Sequence, residues 1–206
     1  MIVATVLTAV IGEIIIKIIE KTAFRDVPHA QIEDLFSHLE FIAPALAAAG
    51  ILILFAGLIE RQKTARGLTE TTDLTMKQAG FIGAMQGLCL PFRGFSRSGA
   101  TISAGMLLGV AKARAEDFSF ALAVVLTPPV VLREVMRLMR SEQANGGAAL
   151  GSVASLTLLG ALVAFVAGLL ALKWLSRWLE TGRWYLFGIY CLVAAAAVAA
   201  LYRLGY

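Results

Sequence analysis

The sequence predicts an all-α protein: a polytopic membrane helical bundle with a re-entrant helical hairpin, forming one integral membrane domain over residues 1–206. Three observations carry this. Apolar residues make up 59% of the chain and charged residues 16%, against roughly 25% charged in soluble domains. The mean hydropathy is +0.80, and a water-soluble globule of this size lacks the interior to bury so much apolar surface. The apolar residues also gather in runs long enough to cross a hydrocarbon core of about 30 Å. Finally, residues 78–111 hold two arms too short to cross, joined at a polar centre. The composition excludes a disordered chain and an ordinary cytosolic enzyme. Cys89 and Cys191 are the only cysteines, both within apolar runs, and make neither a disulfide framework nor a zinc cluster. The net charge is +4, but the basic residues fall between the apolar runs, where membrane proteins keep them. The charge therefore points to a bilayer and not to nucleic acid.

Residues 2–19 form the first run. It has no basic leader and no small-residue cleavage pattern, so it is not an ordinary signal peptide. Glu13 and Lys17 share one face of it. They form either an i,i+4 pair facing protein, with Lys17 reaching to the interface, or an intramembrane functional site. Residues 20–38 are a polar loop with Pro28, His29 and His38, and residues 39–59 are the second span. Residues 60–77 are a charged connection with Arg61, Lys63, Arg66 and Lys77.

In residues 78–111, Pro91, Gly94 and Gly99 interrupt two apolar arms about fifteen residues long, each short of the roughly 20 residues that a spanning helix needs. Two half-helices meeting at a polar turn make a re-entrant hairpin, whose non-helical tip must be packed in protein or line a wet cavity. Each arm carries a small-xxx-small spacing, Gly83 to Gly87 and Gly105 to Gly109, which supports tight packing of the hairpin. Residues 118–133 are a further apolar run that Pro128 and Pro129 are expected to kink or break. Residues 133–149 are a basic, then glycine-rich connection, and residues 150–172 and 184–202 are two more spans. Between them Trp174, Trp178, Trp184 and Tyr185, with Lys173, Arg177 and Arg183, mark a membrane interface. The connections differ too little in Lys and Arg to set an orientation.

The chemistry concentrates in Pro91–Thr101, reading PFRGFSRSGAT. Arginine presents a planar fork of donors that matches phosphate oxygens. Glycines let backbone N–H groups approach an anion, and the start of the following helix adds a favourable dipole. Ser96, Ser98 and Thr101 add hydroxyls. The pattern points to a phosphate or diphosphate on a membrane-borne molecule. The alternative is a polar turn at the bilayer surface, with Arg97 reaching for the interface and Ser98 capping a helix.

With Gln86 before it and Ile102–Gly109 after it, this segment resembles the bacterial undecaprenyl-diphosphate phosphatase family, also called the bacitracin-resistance protein family. The family's hallmark is P-G-x-S-R-S-G-x-T after an apolar arm containing Ala-Gln. Here the arm has Met85-Gln86, the core reads Phe-Ser-Arg-Ser-Gly-Ala-Thr at 95–101, and Phe118-Ser-Phe120 follows. The likeness is carried by residues 78–135. It implies the second half of an inverted-repeat helical membrane fold in the bacterial plasma membrane. It also implies removal of the terminal phosphate of undecaprenyl diphosphate, which regenerates a lipid carrier for peptidoglycan precursors. By resemblance Arg97 holds the diphosphate, Ser96 and Thr101 line the same site as catalytic candidates, and Gly94 and Gly99 shape the loop. Ser98 and Gln86 join them as substrate-binding candidates. Arg93 either adds a second phosphate contact or reaches solvent, since the family's Pro-Gly is spread here as Pro91-Phe-Arg-Gly94.

The resemblance also implies a divalent cation, magnesium or calcium, but its carboxylate ligands are not evident in this sequence. The family's earlier hairpin carries an E-x-x-x-E type motif and an S-S-x-G-H motif. Glu13, Glu20, His29 and His38 do not reproduce that setting. Glu116 and Asp117 follow an apolar arm that, if helical, places them about 20 Å from the tip. The chain thus reads as a member lacking its N-terminal portion, expected to hold a diphosphate lipid but to hydrolyse it slowly alone. The alternative is a non-catalytic binder or transporter of polyprenyl phosphate lipids.

Overall fold

A computed structural model describes residues 1–23, 39–67, 71–144, 150–180 and 183–204. Among these the regular elements are helices: α1 (Ile2–Ala23), α2 (Leu39–Ala65), α3 (Met76–Cys89), α4 (Arg97–Leu107), α5 (Lys112–Ala144), α6 (Leu150–Glu180) and α7 (Trp184–Arg203). Among the described residues four stretches are long and apolar enough to cross a bilayer, Ile2–Ile19, Ile42–Ala65, Lys112–Arg137 and Trp184–Arg203, and Thr157–Lys173 is a shorter apolar stretch within the span expected at 150–172. The protein is a multi-pass membrane helical bundle. Pro28, His29 and His38 lie outside the described residues, as do the side chains of Glu20, Trp174 and Trp178.

The chain falls into two compact units. One comprises Met1–Ala123 with Trp184–Tyr206, the other Val124–Arg183. In the first, backbones approach closely wherever glycine removes a side chain. Ala4, Thr8 and Gly12, spaced four apart on α1, meet Gly83 and Gly87 of α3. A Cβ on Gly87 would lie 2.7 Å from the Thr8 carbonyl oxygen, and one on Gly83 would collide with the Ala4 backbone. The buried Thr8 hydroxyl faces the carbonyl oxygens of Ala4 and Gly83, each at 2.8 Å. The small-residue spacing on α3 therefore docks α1 and does not close the hairpin. In the other arm, Gly105 packs against Ala115 and Ile82, while Gly109 has φ +85° and open space around it, so it turns the chain. Helices α2 and α7 run antiparallel, with Gly57 against Tyr185 and Gly188 against Leu54.

Helices α3 and α4 form an antiparallel pair closed at its base. Thr75 caps α3, accepting from the Gln78 N–H, and Gln78 Oε1 accepts from the Thr75 N–H at 2.9 Å. The same Gln78 donates through Nε2 to the Leu108 carbonyl at 3.1 Å, fastening the start of α3 to the end of α4. Thr71 pairs with the turn after α4, donating to the Gly109 carbonyl at 3.1 Å and accepting from Ala111 at 2.9 Å.

Three expectations change. Of the kink or break expected at Pro128 and Pro129, the break does not occur: α5 runs from Lys112 to Ala144 through both. Each proline removes one backbone donor, which a helix inside a membrane protein tolerates when neighbouring groups answer the freed carbonyls. The Glu13–Lys17 pair forms at 3.4 Å, but its side chains are 64% and 70% exposed. It faces away from the body of the chain, because α1 spends its small-residue face on α3. Trp184 is not an interface residue. It is 2% exposed, and its indole N–H donates to Ser103 Oγ at 3.0 Å.

Candidate functional site

The tip between α3 and α4 is built by a sharp local sequence. Helix α3 ends at Cys89, and Pro91, fully buried, follows. Phe95 N–H then donates to the Phe92 carbonyl at 3.2 Å, closing a tight turn around Arg93 and Gly94. Gly94 has φ +94°, a conformation open chiefly to glycine. A Cβ there would also press on Ile42 of α2 at 3.0 Å.

Ser96 is the N-cap of α4, so the capping role falls to it and not to Ser98. Its Oγ accepts from Gly99 N–H at 3.2 Å, and its carbonyl accepts from Ala100 N–H at 2.9 Å. The first-turn amides of Arg97 and Ser98 have no hydrogen-bond partner among the described residues. That is the ordinary state of a helix start and leaves donors aimed outward. Arg93, Arg97 and Ser98 are exposed, and Ser96 is half-buried. The Arg97 guanidinium has no hydrogen bond or ion pair among the described residues. The tip thus gathers Arg93, Ser96, Arg97 and Ser98 on and just before one helix start, with positive charge, hydroxyls and free amides together. This donor set fits an anion rich in oxygen.

The remaining sequence-derived candidates face inward. Gly99 is buried against Ile53 of α2. Thr101 is fully buried and donates to the carbonyl of Arg97 at 2.9 Å or of Ser98 at 3.2 Å. Its Oγ1 also lies 2.6 Å from Ser119 Oγ on α5. Since Thr101 has one proton, directing it at its own helix leaves Ser119 as the donor between the two hydroxyls. Gln86 is 1% exposed, and its Nε2 has no hydrogen-bond partner among the described residues.

Ser119 carries a role that the sequence reading did not give it, although Phe118-Ser-Phe120 was singled out. Its position also corrects a distance. Because the chain turns at Gly109, the second turn of α5 comes back beside the first turn of α4, and Glu116 lies one helical turn from Ser119. The separation of about 20 Å assumed an arm that continued straight. Even so, no group of three His, Cys, Asp or Glu side chains able to hold a metal ion occurs among the described residues. The guanidinium and hydroxyl donors of the tip do not fit a divalent cation, which takes carboxylate and carbonyl oxygens.

A family model described as Bacitracin resistance protein BacA matches residues 1–197. An "Undecaprenyl-diphosphatase 2" of Acinetobacter baylyi is 50% identical over 201 residues, covering 96% of this chain and 68% of that protein. An "Undecaprenyl-diphosphatase" of Bacteroides thetaiotaomicron is 39% identical over 129 residues, 61% of this chain and 46% of its own length. A third, of Anaeromyxobacter dehalogenans, is 39% identical over 160 residues, 78% of this chain and 51% of its own length. The chain spans about two thirds of the first of these relatives and about half of the other two.

Proposed function

The chain belongs to the bacitracin resistance protein BacA family, and from that premise we infer that it acts as an undecaprenyl-diphosphatase, removing the terminal phosphate of a polyprenyl diphosphate lipid. The reaction regenerates the monophosphate carrier used in cell-wall synthesis, in the bacterial plasma membrane. The observation that carries this reading is the exposed Arg97 guanidinium beside the open amides at the start of α4. A diphosphate presents several anionic oxygens, and Arg97 meets them through a planar fork. The helix start adds N–H donors and a favourable dipole. Ser96 spends its acceptor on Gly99 N–H and keeps its proton for the ligand. Ser98 and Arg93 enlarge the donor set from either side. Thr101 and Gly99 hold the first turn of α4 in place from within.

The α3–α4 hairpin is re-entrant in this reading, entering and leaving by the side that Gln78 and Leu108 mark, with its polar tip within the membrane region. Hydrolysis requires more than the tip offers, since guanidinium and hydroxyl groups bind and orient phosphate but do not activate water. A divalent cation, magnesium or calcium, belongs to the proposed reaction through the family resemblance, with no ligand set among the described residues.

The test is binding of undecaprenyl diphosphate to the chain in detergent micelles or nanodiscs. Arg97→Ala is expected to weaken binding ten- to a hundredfold, the equivalent of about 1.5–3 kcal/mol for a charge-assisted contact. Arg66→Ala, at the exposed end of α2, is expected to leave binding unchanged. Phosphate release from the same lipid, with magnesium or calcium present, falls with Arg97→Ala in parallel. Equal binding by Arg97→Ala and the parent chain sinks the assignment.

A further inference from the structure

A concave feature lies beside the tip. A cavity of about 280 Å³ is lined by Pro44, Ala45 and Ala48 of α2, Leu88 of α3, and Phe92 and Phe95 of the turn. No lining residue has a polar side chain. The turn that displays Arg93 also delivers both rings: Phe92 and Phe95 flank Arg93 and Gly94, and their backbones are hydrogen-bonded to each other at 3.2 Å. Phe95 and Arg97 are two residues apart, so their Cα atoms lie within roughly 7 Å. One short segment therefore carries an anion-binding group and a wall of an apolar slot.

We propose that this slot receives the first isoprene units of the polyprenyl chain while the tip holds the diphosphate. The proposal rests on the diphosphate reading of the tip and goes beyond it by placing the tail. A charged head with an apolar chain attached directly to it needs a cationic site and an apolar slot a few ångströms apart, and this segment supplies both. In a bilayer a hydrocarbon chain is already in an apolar medium, so entering the slot gains packing contacts and little transfer free energy. The slot therefore acts on shape. A stiff, methyl-branched, unsaturated chain fills the space between two aromatic rings and the small residues Ala45 and Ala48. A flexible straight chain loses more conformational freedom to do so. The slot positions the scissile diphosphate over Arg97 and selects isoprenoid over acyl chains.

The probes are farnesyl diphosphate, dodecyl diphosphate and inorganic diphosphate, measured on the chain in nanodiscs of phosphatidylcholine and phosphatidylglycerol. The parent is expected to bind farnesyl diphosphate at least fivefold more tightly than dodecyl diphosphate. Ala48→Phe, which fills the slot, is expected to weaken farnesyl diphosphate at least tenfold and leave inorganic diphosphate within twofold. That second value also reports that the tip is folded. Arg97→Ala weakens all three. A farnesyl diphosphate carrying a diazirine on its first isoprene unit, applied to the parent chain, is expected to label the peptides holding Ala45–Ala48 or Phe92–Phe95. Farnesyl binding that depends on Arg97 but ignores Ala48→Phe overturns the slot and leaves the tip assignment standing. Label spread over other lipid-facing helices, or displaced by phosphatidylglycerol alone, shows an ordinary acyl chain as the occupant and overturns it too. No diphosphate binding by the parent overturns both readings.

Discussion

A single hydroxyl proton decides how the tip is braced. With the Thr101 proton on a carbonyl at the start of its own helix, Ser119 donates across to Thr101 Oγ1, and either way round the 2.6 Å contact ties α5 to the backbone beneath Arg97. Removing one side of that pair should cost what buried hydrogen bonds between membrane helices cost, about 0.6 kcal/mol on average and up to about 1.7. Ser119→Ala is expected to lower the thermal midpoint in detergent by that modest amount. Thr101→Val keeps the shape and loses both bonds while stranding the Ser119 hydroxyl, so it should cost more, about 1–3 kcal/mol. A double-mutant cycle on the two residues measures the coupling, and a value of zero refutes the brace. Arg97→Lys is expected to recover little diphosphate binding, because an ammonium lacks the fork; titration of the lipid against both Arg97 variants checks it. Arg97 was legible in the sequence because an arginine inside a break between apolar arms is a local anomaly. Ser119 was not. Its partner depends on a chain reversal at Gly109, and a serine in an apolar helix looks the same whether it is bonded across or to its own backbone.

The α3 helix shows how an element's pattern can be visible while its partner is not. The spacing of Gly83 and Gly87 announced a close backbone approach, but spacing alone does not say which neighbour approaches. The answer lies in Ala4, Thr8 and Gly12, a matching small-residue row on α1. Gly83→Leu is therefore expected to push α1 off α3 and destabilise the fold by at least the 1–3 kcal/mol typical of overpacking. Gly160→Leu and Gly168→Leu, on α6 with nothing within 4 Å, serve as controls and should be near neutral. Unfolding in detergent, followed by size-exclusion of the heated protein, separates the two outcomes. At the base of α3, Gln78→Leu removes the side-chain half of the capping box and the strap to Leu108 together, while Thr75 still accepts from the backbone N–H of residue 78. Each lost hydrogen bond costs about 0.5–1.5 kcal/mol. Exchange of the amides at the base of the hairpin should rise relative to Ser119→Ala, which leaves that base intact. Pro128 and Pro129 show the limit of a local rule. Proline carries a strong local penalty, yet α5 continues, because a penalty confined to two donors does not outweigh a helix of 33 residues.

At the scale of the molecule, the spans were legible because a bilayer imposes one coarse rule, long apolar runs, on every crossing helix. The structure lengthens the elements beyond those runs, since helix need not stop where hydrophobicity does: α2 extends to Ala65 and α6 to Glu180. Large apolar side chains such as Ile51, Phe55, Leu158 and Tyr190 remain more than half exposed on the spans and on α6, a surface suited to lipid. The expressed chain should accordingly stay in the membrane pellet after an alkaline carbonate wash; its release into the supernatant would refute the multi-pass reading. What sequence periodicity could not show was which spans embrace. The small-residue contacts between α2 and α7 join segments far apart in the chain, and so does the bond from Trp184 to Ser103. That bond joins residues 81 positions apart. At the roughly 5–20 residues per second of synthesis, Ser103 is added to the chain about 4 to 16 seconds before its partner. During that interval the α4 arm lacks its indole clasp, and Gly57 of α2 lacks the Tyr185 backbone that packs on it. The α3–α4 hairpin is thus finished late, by α7, and a nascent chain halted before Trp184 would carry the whole arginine motif, with the Thr101–Ser119 contact beneath it, but without that clasp.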